Sequence, residues 1–417
     1  MSADRLYSHV HQAEPWLPGE GRGDAVLAQA HALQQAAARV QGKADVTVMQ
    51  ALAPLLRAMN SYYTNKIEGQ HTLPGDIARA LAQQFSTDHD TRRRQRLAVA
   101  HMRTEAWAEQ HWGRQPWQNL FAPEVVASLH RHLFEQLPEQ DRRLSDGSTM
   151  PPGAWRTGEV RVGQHEAPAA RSVPDFMQHF HTVYSRVRPG EMALVAVAAA
   201  HHRLAWIHPF ADGNGRVARL HSHVLLHAMG LSNGIWSPLR GLARTQPRYY
   251  EALAHADMPR HGDLDGRGNL SERCLLDFIR YFLATCTDQA QFMSGLLDFP
   301  TLRQRIRACL AFESSLPGSG DLMRAELGLY QLFITGAMPR GEFKQLTGQP
   351  PRSADKVLSR LLARELLQSD SPKGKLRFGV PLHALRFYFP ALWPEAEAQA
   401  ASHQGAMPWL SPKEAAT

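Results

Sequence analysis

Cysteine is scarce in this 417-residue chain, and its three residues, Cys274, Cys286 and Cys309, show no C-x-x-C spacing. They cannot form a disulfide framework, which excludes the small stapled secreted scaffolds and fits a reducing compartment. Long apolar runs are missing too. Nothing approaches the roughly 18–20 residues needed to span a bilayer. The richest run, Met192 to Ala200, is Ala-heavy and meets His201, His202 and Arg203 directly. The N-terminal residues MSADRLYSHVHQAEPW have neither the apolar region nor the cleavage pattern of a secretion signal. A cytoplasmic protein with no membrane partner is the expectation. Internal repeats are absent, as are low-complexity tracts beyond a mild Ala/Gln bias.

What is present is enough apolar sequence for real cores. The 43% hydrophobic content excludes a disordered chain, and the length suggests two or three domains. Lys and Arg exceed Asp and Glu by 46 − 39 = 7. Part of that excess sits in Arg92, Arg93, Arg94 and Arg96, a cluster able to meet nucleic acid or an acidic partner; a solvated helix face is the expected reading.

Apolar periodicity predicts helices almost throughout. Residues 47–59 recur at helical spacing with Pro54 inside, and a further helical stretch runs to about Glu68. Gly69 is a stop signal, with Pro74 beyond it. Helical patterns follow at 76–84, 94–112 and 123–137. The segment 138–172 is rich in Pro, Gly, Ser and Arg and holds one alternating stretch, 159–163, the best strand candidate of the first three hundred residues. Helices resume at 175–187, 191–207, 215–229, 248–256 and 272–295. Phe299-Pro300 and 315–320 read as linkers. Beyond them come helices at 323–335, 341–346 and 353–365, then extended pieces at 366–369 and 376–380. Three helices and a hairpin is the winged-helix order.

The chemistry concentrates in HPFADGNGRVAR, residues 208–219. A helix ends there, and a Gly-Asn-Gly turn leads into the next. The first turn of a helix leaves backbone N–H groups unpaired and partially positive. Glycines on both sides of Asn214 let that backbone curl around an anion, and a polyphosphate suits it. Arg216 and Arg219, three apart, share one helix face, and their guanidinium forks match phosphate oxygens. Asp212 supplies a hard carboxylate of the kind Mg²⁺ takes. His208, with an ordinary pKa near 6.5, suits a general base acting on a hydroxyl. The set spells phosphoryl or nucleotidyl transfer.

These twelve residues match, at every fixed position, the Fic-family motif H-P-F-x-[D/E]-G-N-G-R-x-x-R, and the chain resembles that family from about Thr47 to Leu296. The resemblance implies a mainly α fold: a Fic-type helical core with a small β-hairpin flap, followed by a C-terminal winged-helix domain. It implies transfer of AMP from ATP to a Tyr, Thr or Ser hydroxyl of a protein, the chain itself included. By position, His208 would activate the hydroxyl, Phe210 anchor the loop and Asp212 bind Mg²⁺. Gly213, Asn214 and Gly215 would hold the phosphates, Arg216 the β-phosphate region and Arg219 the γ-phosphate. Upstream, Thr64-Asn-Lys-Ile-Glu68-Gly69 fits the family's inhibitory pattern [S/T]-x-x-x-E-[G/N]; a glutamate beside Arg219 would take the γ-phosphate's partner. The stretch RTGEVRVGQH, 156–165, resembles the family's flap, whose edge would pair with the target. Val160, Arg161, Val162 and Gly163 are its candidate contacts to nucleotide and target. Tyr249 and Tyr250 match a Tyr-Tyr pair of many relatives: one ring would pack on adenine, and Asp257 would reach the nucleoside. Two adjacent helical tyrosines diverge, so at least one is expected in the core.

The expected organisation is therefore 1–120 with an inhibitory helix at about 60–69, a catalytic core at 121–300, a linker at 301–320, a winged-helix domain at 321–395 and a tail at 396–417. Arg352, Lys356 and Arg360 recur along the third helix of the winged-helix domain, with Lys373 and Lys375 in its wing. That placement suits DNA, a protein partner or plain solvent. A homodimer is a further expectation of the resemblance. Two other functions stay open: the same site run in reverse, with Glu68 orienting a water that removes AMP, and a DNA-binding regulator that senses nucleotide without turnover. His201, His202, His221, His223 and His227 crowd one region. His223 and His227 have a metal-ligand spacing, but no Glu follows as in H-E-x-x-H and no Cys is near. Imidazoles packed between helices are expected, and no transition metal.

Overall fold

In a computed structural model, residues 7–19, 21–43 and 46–402 are described. They form seventeen α-helices and five short strands: α1 Asp24–Gln41, α2 Val46–Ile67, α3 Pro74–Leu81, α4 His89–His111, α5 Pro123–Glu135, β1 Arg161–Val162, β2 His165–Glu166, α6 Val173–Tyr184, α7 Glu191–Ile207, α8 Asn214–Ala228, α9 Leu239–Arg244, α10 Gln246–Ala256, α11 Glu272–Leu296, α12 Phe299–Ser315, α13 Glu326–Thr335, β3 Ala337–Met338, α14 Arg340–Leu346, α15 Pro351–Ala363, β4 Leu367–Ser369, β5 Leu376–Phe378, α16 Leu385–Tyr388 and α17 Pro394–Ser402. The mainly helical expectation holds. None of the described helices is long and apolar enough to cross a membrane.

The chain divides into two compact units. Of the described residues, one takes in those up to Ala38, Asn60–Thr72 and Asp76–Gln291; the other has those of Arg39–Met59, Leu73–Gly75 and those from Phe292 on.

At the centre of the first unit is α7, buried on every side from Ala193 to Leu204. Its alanines let neighbouring helices approach closely, and α6 and α8 pack on it. Even Arg203 is enclosed; its Nε and terminal N–H groups donate to the Pro15 carbonyl, so its charge stays hydrogen-bonded inside. α4, α5 and α8 pack together on another side. The end of α2 is a Schellman turn: Gly69 has φ 69°, its N–H bonds the Lys66 carbonyl, and that of Gln70 bonds Asn65. This stop sets Glu68 at the helix end. Pro54 does not break α2, since it removes one backbone donor in a helix of 22 residues.

The arginine cluster lies in the first turns of α4, which starts earlier than its periodicity suggests because Asp88 caps it through the Thr91 N–H at 2.8 Å. The four arginines are half-buried rather than fully solvated, and Arg96 pairs with Asp141 at 3.1 Å.

In the second unit, α13, β3, α14, α15 and the β4–β5 hairpin follow in order, with an antiparallel sheet arranged β3-β5-β4. β3 is only two residues long and left no alternation to read. The expected linker 301–320 is corrected: residues to Ser315 belong to α12. Leu302, Ile306, Cys309 and Leu310 make a fully buried stripe at helical spacing, and Pro300 fits the helix's first turn. Only 316–320 remains a loop. Residues 403–417 of the expected tail lie outside the described residues.

Candidate active site

α7 ends at Ile207, and His208 turns the chain with a left-handed φ of 51°. Such a conformation is uncommon for a residue with a Cβ. It is held by Arg156, whose Nε donates to the His208 carbonyl at 2.8 Å while its backbone N–H bonds Pro209. Arg156 also donates to the Gly158 and Pro168 carbonyls, so one buried guanidinium ties the base of the β1–β2 hairpin to the loop after α7. Burial pushes the His208 imidazole down to about 4; His165 and Arg156 add to the fall, and the Ala205 backbone and Glu68 oppose it. His208 is therefore neutral at pH 7 and able to accept a proton.

Phe210 is fully buried and stacks on His130 at 3.8 Å between centroids. His130 receives the Gly153 N–H on Nδ1, which leaves its Nε2–H to donate to the Asp212 carbonyl at 3.1 Å. The Asn214 side chain closes the loop on itself: its Oδ1 accepts the Phe210 N–H and its Nδ2 donates to the Phe210 carbonyl, both at 2.8 Å. Only its backbone faces the role expected of it; the amide is a loop clamp. Gly213 has φ 81°, and a Cβ there would lie 2.4 Å from the Phe134 ring. Asp212 is half-buried, and its Oδ1 accepts the Gly213 N–H.

Arg216 and Arg219, on the first turns of α8, are 3% and 2% exposed. Arg219 donates from Nε to the Thr64 hydroxyl at 2.8 Å and from its terminal nitrogen to the Glu68 carboxylate. The same Glu68 oxygen would lie 2.3 Å from a Cβ on Gly215, so that glycine admits it to the head of α8. Burial alone would raise the Glu68 carboxyl, yet Arg219, Arg216 and His208 together hold it below its ordinary range. Arg216 bonds the Gln70 side chain at 3.1 Å, and its buried Nε has no hydrogen-bond partner.

The tyrosine pair departs from expectation. Tyr249 is 2% exposed and donates to His201 Nε2 at 2.7 Å. A ring so enclosed cannot stack on adenine. Tyr250 is exposed on its ring, but its hydroxyl bonds the Ile67 carbonyl at 2.7 Å, beside Gln246 Nε2 at 2.7 Å. Two side chains of α10 thus satisfy the end of the helix that presents Glu68. Asp257 pairs with His202 at 3.0 Å and with the flap's His165 at 3.5 Å, so it braces the flap.

The flap itself is minimal. Arg161 pairs with Glu166 and Val162 with His165, around Gly163 at φ 60°. Arg161, Val162 and Gly163 are exposed and Val160 is half-buried. The helper residues His130, Gln70 and Gln246 carry no motif, and Arg156 and His165 bound the flap stretch without any sign of their contacts; only folding brings them to the loop.

Residues 120–226 match the Fic/DOC family. Of curated proteins, the "Protein adenylyltransferase Fic" of Nematostella vectensis is 32% identical over 171 residues, covering 40% of this chain and 35% of that protein. Its namesake in Drosophila mojavensis is 30% identical over 166 residues, covering 40% and 29%. The chain spans about a third of the length of these relatives. A solved Fic family protein from Desulfovibrio desulfuricans G20 aligns with a TM-score of 0.46 at 18% identity, over 85% of this chain and 96% of that one.

Proposed function

We propose that this chain is a protein adenylyltransferase that moves AMP from ATP to a Tyr, Thr or Ser hydroxyl of a protein, and that Glu68 restrains it. Neutral His208 takes the hydroxyl proton, the oxygen attacks the α-phosphorus, and the bond to the β-phosphate oxygen breaks to release pyrophosphate. Arg216, Arg219 and the backbone at Gly213–Gly215 hold the departing phosphates. The curated relatives' name supports this chemistry.

The observation that carries the reading is Glu68 against Gly215 and Arg219. A carboxylate already rests at the head of α8, so the cradle accepts anionic oxygen. The unpartnered Nε of Arg216 adds a donor for another. Asp212 fits Mg²⁺, which takes one carboxylate and draws its other ligands from phosphates and water; the ion would offset the triphosphate's charge.

A second reading is favoured by the mutual field of Glu68 and His208, each of which shifts the other. That pair could orient water to remove AMP from a modified protein. The α13-to-β5 order supports assigning 321–395 to a winged helix. Arg352 and Lys356 are exposed on α15, as a DNA-facing stripe requires, whereas Arg360 lies close to Gly320.

ATP labelled at the α-phosphate, compared with ATP labelled at the γ-phosphate, tests the reaction. Protein-bound label from the first alone, lost in His208→Ala, supports AMP transfer. Label from the γ-position would instead mean phosphorylation.

A further inference from the structure

At the far end of α8 from the anion loop, His223 and His227 stand one helical turn apart. They meet Glu109, which α4 brings from 114 residues away in sequence, 2.9 Å from His223 Nε2. One ligand atom from each of the three lies within 4.8 Å of the other two. Glu109 and His223 are buried, and His227 is half-buried. A second carboxylate stands behind them: Glu105 Oε1 is 3.9 Å from His223 Nε2 and accepts from Asn60 Nδ2 at 2.8 Å. Room for His227 comes from Gly113, where a Cβ would sit 2.5 Å from the ring's Cδ2 and 3.0 Å from Nε2.

We propose that Glu109, His223 and His227 form a binding site for a Zn²⁺-class dication, distinct from Asp212. Two imidazoles and one carboxylate are a ligand set that Zn²⁺ accepts, with a fourth position left for solvent. Imidazole nitrogen disfavours Mg²⁺ and Ca²⁺, and the absence of thiolate disfavours Cu(I). Donors at about 2.0–2.1 Å from a tetrahedral ion stand about 3.3 Å from one another, so a small closure of the three suffices. The His223–Glu109 hydrogen bond is the arrangement of the metal-free pair, and the ion replaces its proton. Asn60 holds Glu105 in place, and that carboxylate approaches the same His223 Nε2 at 3.9 Å, which adds negative charge beside the ion. The ion would cross-link α4 to α8, the helix that carries Arg216 and Arg219. Sequence inspection misses the site because the carboxylate is not within the H-x-x-x-H stretch.

The test is Zn²⁺ titration of the chelator-stripped full chain by calorimetry, with elemental stoichiometry and a thermal melt. One Zn²⁺ is expected, with a rise in Tm. His227→Ala, at the least enclosed ligand, is expected to weaken binding by more than the roughly 10–100-fold that an outer partner contributes. Glu109→Gln carries the same test if His227→Ala fails to fold, since its amide oxygen can still meet His223. Binding at unchanged affinity in either folded variant, or no binding by the wild type, overturns the proposal.

Discussion

Arg219 donates from Nε to the hydroxyl of Thr64 at 2.8 Å. Just past the end of α2, Glu68 accepts from a terminal nitrogen of the same guanidinium. The four-residue spacing of the inhibitory pattern therefore has a geometric meaning: residues i and i+4 at the end of one helix grip one arginine. Burial alone would lower the basicity of Arg219, yet it remains more basic than usual because the Glu68 carboxylate overcomes that effect.

Thr64→Ala should loosen the grip without removing the carboxylate. A lost hydrogen bond to a charged group is worth about 1.5–3 kcal/mol at most, and Glu68 remains, so a rise of about 3–10-fold in basal self-modification is expected. Thr64→Ser should behave as wild type. Equal rates in Thr64→Ala and wild type would remove Thr64 from the restraint.

Tyr250→Phe tests the other support. Its hydroxyl bonds the Ile67 carbonyl, one residue before Glu68. Losing about 1 kcal/mol there should raise the basal rate of self-modification several-fold, and an unchanged rate would remove the hydroxyl from the restraint.

Asn214→Ala should strand the Phe210 N–H and carbonyl, each a buried group costing about 1–3 kcal/mol when unpaired. Transfer should fall about 100-fold in a Glu68→Gly background and Tm should drop. Asn214→Asp keeps the acceptor and should fall between. An active, stable Asn214→Ala would show that the loop holds its shape without the clamp.

Acid should weaken the fold before it touches the restraint. Burial pushes His130 to about 4 and His201 to about 3. Below the ordinary value of about 6.5 the unfolded chain takes up protons that these folded groups refuse. Their contribution is intact above that value and is lost as pH falls toward the folded values, at about 1 kcal/mol each by pH 5.5. Glu68 is held below its ordinary 4.5, so its pair with Arg219 persists through this window. Urea unfolding at pH 7.5 and 5.5 reads the difference; equal stabilities would contradict it.

The loop 208–219 was legible because its chemistry is contiguous, and the helices because apolar residues recur along them. Glu191–Ile207 emerged with its observed ends. What stayed hidden depended on contacts between distant segments. Nothing near Arg156 says that its guanidinium holds the His208 carbonyl. The Tyr249–Tyr250 pair said that at least one ring lies in the core, as Tyr249 does, but not that the Tyr250 hydroxyl would bond the end of α2. The 301–320 stretch looked like a linker because Pro300 and the SLPGSG run drew attention from the stripe at Leu302, Ile306, Cys309 and Leu310. The two-residue strand β3 offers no alternation to read.

The most direct measurement is the initial rate of AMP transfer from labelled ATP to the chain itself, in wild type, Glu68→Gly and Glu68→Gly with His208→Ala. Freeing Arg219 from a charge-assisted partner should raise the rate about 10-fold or more, and the second substitution should abolish it. A Glu68→Gly protein no faster than an active wild type, or one that keeps its rate without His208, would contradict the account.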